Sequence, residues 1–250
     1  MGTRDENTFM ARLAEQCERW DDMVEYMTRI VTMGAELTLE ERNLLSVAFK
    51  QSVSSRRQAW RVIMMEEQRN PGIAAGIANY RNGLEGELHI KCTEMIKLLD
   101  THLIEKATDG EGKVFFMKMK GDYWRYHAEF QGDQAGKDAS ANAANGAYAE
   151  ALTQAKESLN PAHPVRLGLA LNYSVFFNEV MGQVAEAVGL ARATLEEAQA
   201  DLPNLDENAQ RDSHQVLQLL KDNLDLWQSN AKAAGGGRQP ELDGTAVEDL

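Results

Sequence analysis

Polar side chains at helical spacing are where this 250-residue chain could do chemistry, and the chemistry they suit is binding. Lys50 and Arg57 are seven residues apart, which returns them to one helix face about 10.5 Å apart along the axis. Lys118, Asp122, Arg125 and Glu129 follow at steps of four, three and four and share one face. Both carboxylates lie one turn from Arg125 and can hold its guanidinium, while Tyr126 adds a hydroxyl donor. Two more stripes mix polar and apolar groups: Gly168, Asn172, Val175 and Glu179, then Val216, Leu219, Asn223 and Leu226 with Trp227 alongside. An extended peptide needs that mixture, because apolar groups cover its side chains and an Asn amide both donates to and accepts from its backbone. Periodicity alone also allows plainer readings. Lys50 and Arg57 fit a solvated face. The Arg125 stripe fits a surface ion-pair ladder worth at most about 1 kcal/mol. Asn172 and Asn223 fit satisfied interior amides, and Val175, Leu219 and Leu226 fit core. Spacing within single helices does not bring four helices onto one groove.

The elements that must carry these stripes are helices. Only five prolines interrupt a chain rich in Ala, Leu, Glu, Met and Gln. Thr3 to Glu6 and Thr38 to Glu41 are capping boxes, which open a first helix to about Glu18 and a long third helix to about Asn70. Between them a second helix runs from Asp21 to Met33, ending near Gly34. Pro71-Gly72 breaks the chain before a fourth helix, Ile73 to Lys106. Asp109 to Gly112 reads as a turn, Lys113 to Phe130 as helix five, Gly132 to Gly136 as a loop and Ala139 to Ser158 as helix six. Pro164 suits the first turn of a seventh helix reaching Met181. Gly182 separates it from an eighth helix, stopped by Pro203, and a ninth runs from Glu207 to Asn230. The short connections predict an all-α domain of nine antiparallel helices over residues 1–230. Residues 231–250 hold Gly235-Gly236-Gly237 and an acidic end, and are expected to be a disordered tail.

Composition narrows the function classes. The net charge of −13 opposes general nucleic-acid binding and attraction to an anionic membrane, although a local basic pocket remains compatible with it. No run approaches the 18 apolar residues of a membrane span, and the N-terminus does not read as a secretory signal. Cys17 and Cys92 form no disulfide framework and each reads as a small buried hydrophobe. A reducing compartment follows, the cytoplasm with the nucleus also open. An enzyme finds poor support. Gly110 to Lys113 lacks the spacing of a P-loop, neither HExxH nor GxSxG occurs, and the five histidines show no metal-ligand spacing. No cofactor and no metal are expected.

Four blocks carry more. They are Glu41-Arg42-Asn43-Leu44-Leu45-Ser46-Val47-Ala48-Phe49-Lys50, Lys118-Met119-Lys120-Gly121-Asp122-Tyr123-Trp124-Arg125-Tyr126, the run His163-Pro164-Val165-Arg166-Leu167-Gly168-Leu169-Ala170-Leu171-Asn172-Tyr173-Ser174-Val175-Phe176-Phe177-Asn178-Glu179, and Leu219-Leu220-Lys221-Asp222-Asn223-Leu224-Asp225-Leu226-Trp227. In this order, across residues 8 to 230, they resemble the 14-3-3 family, whose members grip phosphorylated peptides. The resemblance implies a cup-shaped groove. Lys50, Arg57, Arg125 and Tyr126 would hold phosphate. Asn172 and Asn223 would clamp the peptide backbone. Leu171, Val175, Leu219 and Leu226 would line the apolar side, with Gly168 allowing close approach and Lys118, Glu179 and Trp227 at neighbouring positions. The chemistry is consistent: phosphate carries nearly two charges and three acceptor oxygens, arginine offers a planar fork and lysine a point charge.

The resemblance also implies a homodimer, or a heterodimer with other family members, through Leu13, Cys17, Arg19, Asp22, Tyr80 and Glu87. Gly83 stands where the family commonly has a lysine that pairs with the acidic position matched by Asp22, so one cross-subunit pair is expected to be lost and the dimer weakened. Ala59 replaces a serine whose phosphorylation loosens many family dimers. The connection from Pro71 to Gly76 is short, and His127 reads as packing. The expected function is a phosphoserine/phosphothreonine-binding adaptor that clamps, masks or bridges phosphorylated clients. The alternative is a helical scaffold for unphosphorylated peptides, in which Arg57→Ala would barely change binding.

Overall fold

The computed structural model describes the backbone of residues 2–235 and the side chains of residues 2–230. Among these residues it is all-α, with nine α-helices and no strand. The first four helices are α1 (Arg4–Gln16), α2 (Trp20–Thr32), α3 (Leu39–Arg69) and α4 (Ala74–Leu98). Both capping boxes form: Thr3 accepts from the Glu6 amide and Thr38 from the Glu41 amide, and each glutamate accepts the threonine amide in return. Such caps satisfy amides that have no partner inside the helix. Gly34 closes the α2 end at φ 89°, a conformation that favours glycine. Asn70-Pro71 ends α3, and Pro71–Ile73 makes a single 3-10 turn. Beyond α4 the chain does not break but widens into a π turn, Leu99–Leu103, so the expected fourth helix ends in a different hydrogen-bond register.

The remaining helices are α5 (Gly110–Glu129), α6 (Gln134–Ser158), α7 (Pro164–Glu179), α8 (Val184–Asp201) and α9 (Glu207–Gly235). Helices α5 and α6 start earlier than their glycines suggest. Asp109 accepts from the Gly112 amide and Asp133 from the Gly136 amide, so each expected loop is the first turn of a capped helix. His163 caps α7 through Nδ1, and Pro164 occupies its first turn. Asp206 accepts from the amides of Asn208 and Ala209 at the start of α9. That helix runs past its expected end to Gly235, and the rest of the expected tail, residues 236–250, lies outside the described residues.

The chain divides into two compact units. The first takes residues 1–107 and 126–137. In it α1 packs on α2, α2 on α3 and α3 on α4 around Met23, Met27, Ile30, Leu45, Phe49, Leu88 and Met95, all buried. The second takes residues 108–125 and 138–250. Helices α7, α8 and α9 pack mutually there around Leu167, Leu171, Ala187, Ala191 and Leu220. Helix α6 buries a small-residue stripe, Ala141, Ala144, Ala147, Ala151 and Ala155, with Tyr148 in its midst. Within α5 the division falls between the neighbours Arg125 and Tyr126.

Candidate functional site

In the first unit, α3 and the end of α5 assemble a braced arginine. Arg57 is only 8% exposed. Its Nε donates to Glu129 Oε2 at 2.9 Å and its Nη2 to Oε1 at 2.6 Å, a two-bonded fork that fixes the guanidinium plane. The same guanidinium lies 4.0 Å from the centre of the Tyr126 ring, within cation–π range. Arg61 reaches Glu129 at 3.6 Å. Lys50 is half-buried two turns before Arg57 on α3. Arg57 and Tyr126, assigned to the same role from sequence, are thus in contact.

Beside them, His89 Nδ1 and His127 Nε2 meet at 2.8 Å, and Gln131 donates to His127. His127 packs edge-on against Phe130. Burial, aided by the charge of His89, pushes His127 down to about 4. Sequence reasoning assigned His127 to packing and missed its partner, because His89 is 38 residues away on α4. Burial pushes the Cys92 thiol up to about 12, so it is a protonated core group, as expected. Cys17 corrects the other cysteine expectation: it is exposed at the end of α1.

In the second unit the other half of the predicted set hangs on one carboxylate. Asp122 is buried on α5. Its Oδ2 accepts from Lys118 Nζ at 3.0 Å, and its Oδ1 accepts from Tyr148 Oη at 2.6 Å and Asn172 Nδ2 at 2.8 Å. Arg125, 2% exposed, donates from Nε to Tyr148 Oη at 3.2 Å, and its Nη2 lies 3.8 Å from Asp122 Oδ1. Burial pushes the Tyr148 phenol well above its ordinary range, with the Asp122 charge adding to it, so it stays protonated. Arg125, Lys118 and Asn172 are brought together. Tyr148 was not singled out from sequence; its signal, a lone tyrosine in an alanine stripe, is weak.

The apolar set is mixed in its placement. Leu171, Val175 and Trp227 are buried in the core of α7, α8 and α9, with Leu219 half-buried against it. Leu226 is exposed, as is Glu179 at the end of α7. A Cβ on Gly168 would meet only Lys118 Cε at 3.7 Å, an ordinary contact, so nothing within the chain demands glycine there. Asn223 is buried on α9, and its Nδ2 has no hydrogen-bond partner among the described residues. A buried amide in that state suits an incoming carbonyl oxygen.

The dimer candidates are largely at the surface of the first unit. Leu13, Cys17, Tyr80 and Gly83 are exposed. Arg19 is ion-paired with Asp22 of the same chain, and Glu87 accepts from Arg56. Among the described residues no group of three or more His, Cys, Asp or Glu could hold a metal ion, and no helix is long and apolar enough to cross a membrane.

Comparison with known proteins places the chain among relatives of similar length. The family model described as 14-3-3 protein matches residues 10–228. The chain is 45% identical over 260 residues to 14-3-3 protein epsilon of Drosophila melanogaster, covering 100% of this chain and 98% of that one. It is 47% identical over 240 residues to 14-3-3 protein 6 of Solanum lycopersicum, covering 93% of each. It is 44% identical over 248 residues to 14-3-3-like protein F of Nicotiana tabacum, covering 96% of each.

Proposed function

This chain belongs to the 14-3-3 family, a family of phosphopeptide-binding adaptors, and we propose that it binds phosphoserine and phosphothreonine peptides and acts by clamping, masking or bridging their parent proteins. The observation that carries this reading is the bracing of Arg57 and Arg125 by other side chains. Arginines on a solvated helix face would be exposed and mobile. Arg57 is held with its plane fixed by the fork on Glu129, and Arg125 is held at Nε by Tyr148. Fixing an arginine before the ligand arrives removes an ordering cost from binding. In this reading Lys50, Arg57, Arg125 and Tyr126 hold the phosphate. Asn172 and Asn223 hold the peptide backbone, and the unpartnered Asn223 amide supports that role. Lys118, Gly168, Leu171, Val175, Glu179, Leu219, Leu226 and Trp227 complete the peptide contacts. The work is done by binding energy alone, without catalysis.

Self-association belongs to the same reading. A homodimer, or a heterodimer with a related chain, presents two grooves to a doubly phosphorylated client and gains through effective concentration. Leu13, Cys17, Arg19, Asp22, Tyr80 and Glu87 form its interface. The cytoplasm, with the nucleus, is where such clients would be met.

The test is fluorescence polarisation of one Arg-x-x-phosphoSer-x-Pro peptide against its unphosphorylated twin. Micromolar or tighter binding is expected for the phosphopeptide alone, and the Arg57→Ala/Arg125→Ala protein is expected to lose it. Equal binding of both peptides, indifferent to the arginines, would shift the reading to a scaffold for unphosphorylated peptides.

A further inference from the structure

We propose that Asp122 and Tyr148 are positioning residues that fix which atoms of Asn172 and Arg125 face a ligand. The inference rests on the phosphopeptide reading above and adds to it the origin of the site's hydrogen-bond polarity.

A carboxylate only accepts hydrogen bonds. Asp122 Oδ1 therefore requires a donor from each of its two neighbours, Tyr148 Oη at 2.6 Å and Asn172 Nδ2 at 2.8 Å. For Tyr148 this commits its one proton to Asp122. The phenol oxygen is left as an acceptor, and Arg125 Nε donates to it at 3.2 Å. The order Arg125 to Tyr148 to Asp122 then has a single direction. For Asn172 the carboxylate settles the amide orientation, which in general must be assigned from the network around it. A flipped amide would set Oδ1 against Asp122 Oδ1 at the same distance, two acceptors in contact. Nδ2 is held, and the carbonyl end of Asn172 is turned away from Asp122. In that orientation it takes a backbone N–H from a peptide.

The phenol cannot retreat from this role. Its ring stacks on Tyr173 at 5.2 Å and 22°, and α5 comes so close that a Cβ on Gly121 would lie 2.5 Å from Tyr148 Cδ1. All five participants, Lys118, Asp122, Arg125, Tyr148 and Asn172, belong to the second unit and are buried.

Two near-isosteric variants separate the contributions. Asp122→Asn gives the hub its own N–H groups, so either orientation of Asn172 can be satisfied. Tyr148→Phe removes the hydroxyl that links Arg125 to Asp122 and leaves the Asp122–Asn172 bond in place. In the unliganded protein the side-chain amide of Asn172 is expected to show one shifted, slowly exchanging proton by NMR, which Asp122→Asn removes and Tyr148→Phe keeps. The phosphopeptide is then scanned with single amide-to-ester replacements around the phosphoserine. One ester is expected to cost wild-type protein about tenfold in affinity, and that cost is expected to vanish in Asp122→Asn. Tyr148→Phe is expected to weaken the phosphopeptide about tenfold while leaving the ester profile unchanged.

An ester profile shared by wild-type and Asp122→Asn would overturn the proposal, as would a Tyr148→Phe protein that binds as wild-type does. Wild-type protein with no preference for the phosphopeptide would instead sink the phosphopeptide reading, and the Asn172 resonance would then decide the polarity claim by itself. Should Asp122→Asn fail to fold, Tyr148→Phe and the wild-type Asn172 resonance carry the decision.

Discussion

A buried amide with no partner costs a fold about 1–3 kcal/mol, and among the described residues Asn223 Nδ2 is such a group. A core that kept it for stability alone would do better with leucine, which has the same branched skeleton and no donor. Asn223→Leu is therefore expected to raise stability by about 1 kcal/mol while weakening the phosphopeptide about tenfold. Thermal melts and polarisation on the same preparations check both signs, and a lowered melting temperature with intact binding would return Asn223 to the core. Arg57 poses the opposite case. Its fork on Glu129 is satisfied within the chain, so its burial does not by itself demand a ligand. What the carboxylate supplies is a fixed plane, a property a solvated arginine lacks.

Between elements, two close contacts decide how α5 sits within each unit. In the second unit, Gly121 lets α5 approach the Tyr148 ring on α6. Gly121→Ala is expected to destabilise the protein by about 1–3 kcal/mol or more, although alanine favours helices, because the clash is with a ring that cannot yield. Urea unfolding measures this, and a stabilised variant would contradict the close approach. In the first unit, α4 and α5 meet through His89 and His127. The folded state holds His127 near 4 while an unfolded histidine titrates near 6.5. The unfolded chain thus binds more protons between those values, so stability falls as pH drops from about 6.5 to about 4. His127→Leu is expected to flatten that part of the pH–melting profile, and an unchanged slope would assign the loss to other groups. Asp21 acts lower. Burial raises it, but hydrogen bonds from Arg56 and Ser52 and the charges of Arg56 and Lys91 outweigh that and bring it to about 2. Its contribution is present above its ordinary range and is lost as pH falls through about 2.

At the scale of the whole molecule the question is self-association. Arg19 and Asp22 are paired with each other and Glu87 is paired with Arg56, so cross-subunit ion pairs must replace existing ones. Exposed ion pairs are worth little in any case. The same unit leaves apolar groups outside: Phe9 is 64% exposed and Tyr80 71%, with Leu13, Val62, Met65 and Ile73 also exposed. A dimer built on these is held by apolar burial. Its dissociation constant is expected to change less than about threefold from low to high salt, since screening acts on charges. Tyr80→Ala is expected to shift the protein toward monomer. Sedimentation velocity across salt and concentration measures both, and a dimer that dissociates steeply with salt would restore the ion pairs to the leading role.

The helices, and the chemistry each one carries, are legible in the order of the residues alone. Capping boxes at Thr3 and Thr38, the Pro164 start of α7 and the periodic stripes on α3, α5, α7 and α9 are local signals, set by residues within a turn or two of one another. Four blocks in order were enough to read the family. Boundaries failed where a glycine competed with an aspartate cap, at Asp109 and Asp133, because the cap bond to an otherwise unpartnered amide offsets the cost of one glycine, up to about 1 kcal/mol. Partnership between side chains depends on packing. Glu129 lies one turn from Arg125, yet it forks Arg57 from a helix 72 residues away. Asp122, readable as a brace for Arg125, also holds Asn172 from α7 and Tyr148 from α6. Sequence spacing fixes which residues share a helix face, and so gives Lys118 to Asp122, but a carboxylate also takes whichever donors packing brings within about 3 Å from other helices.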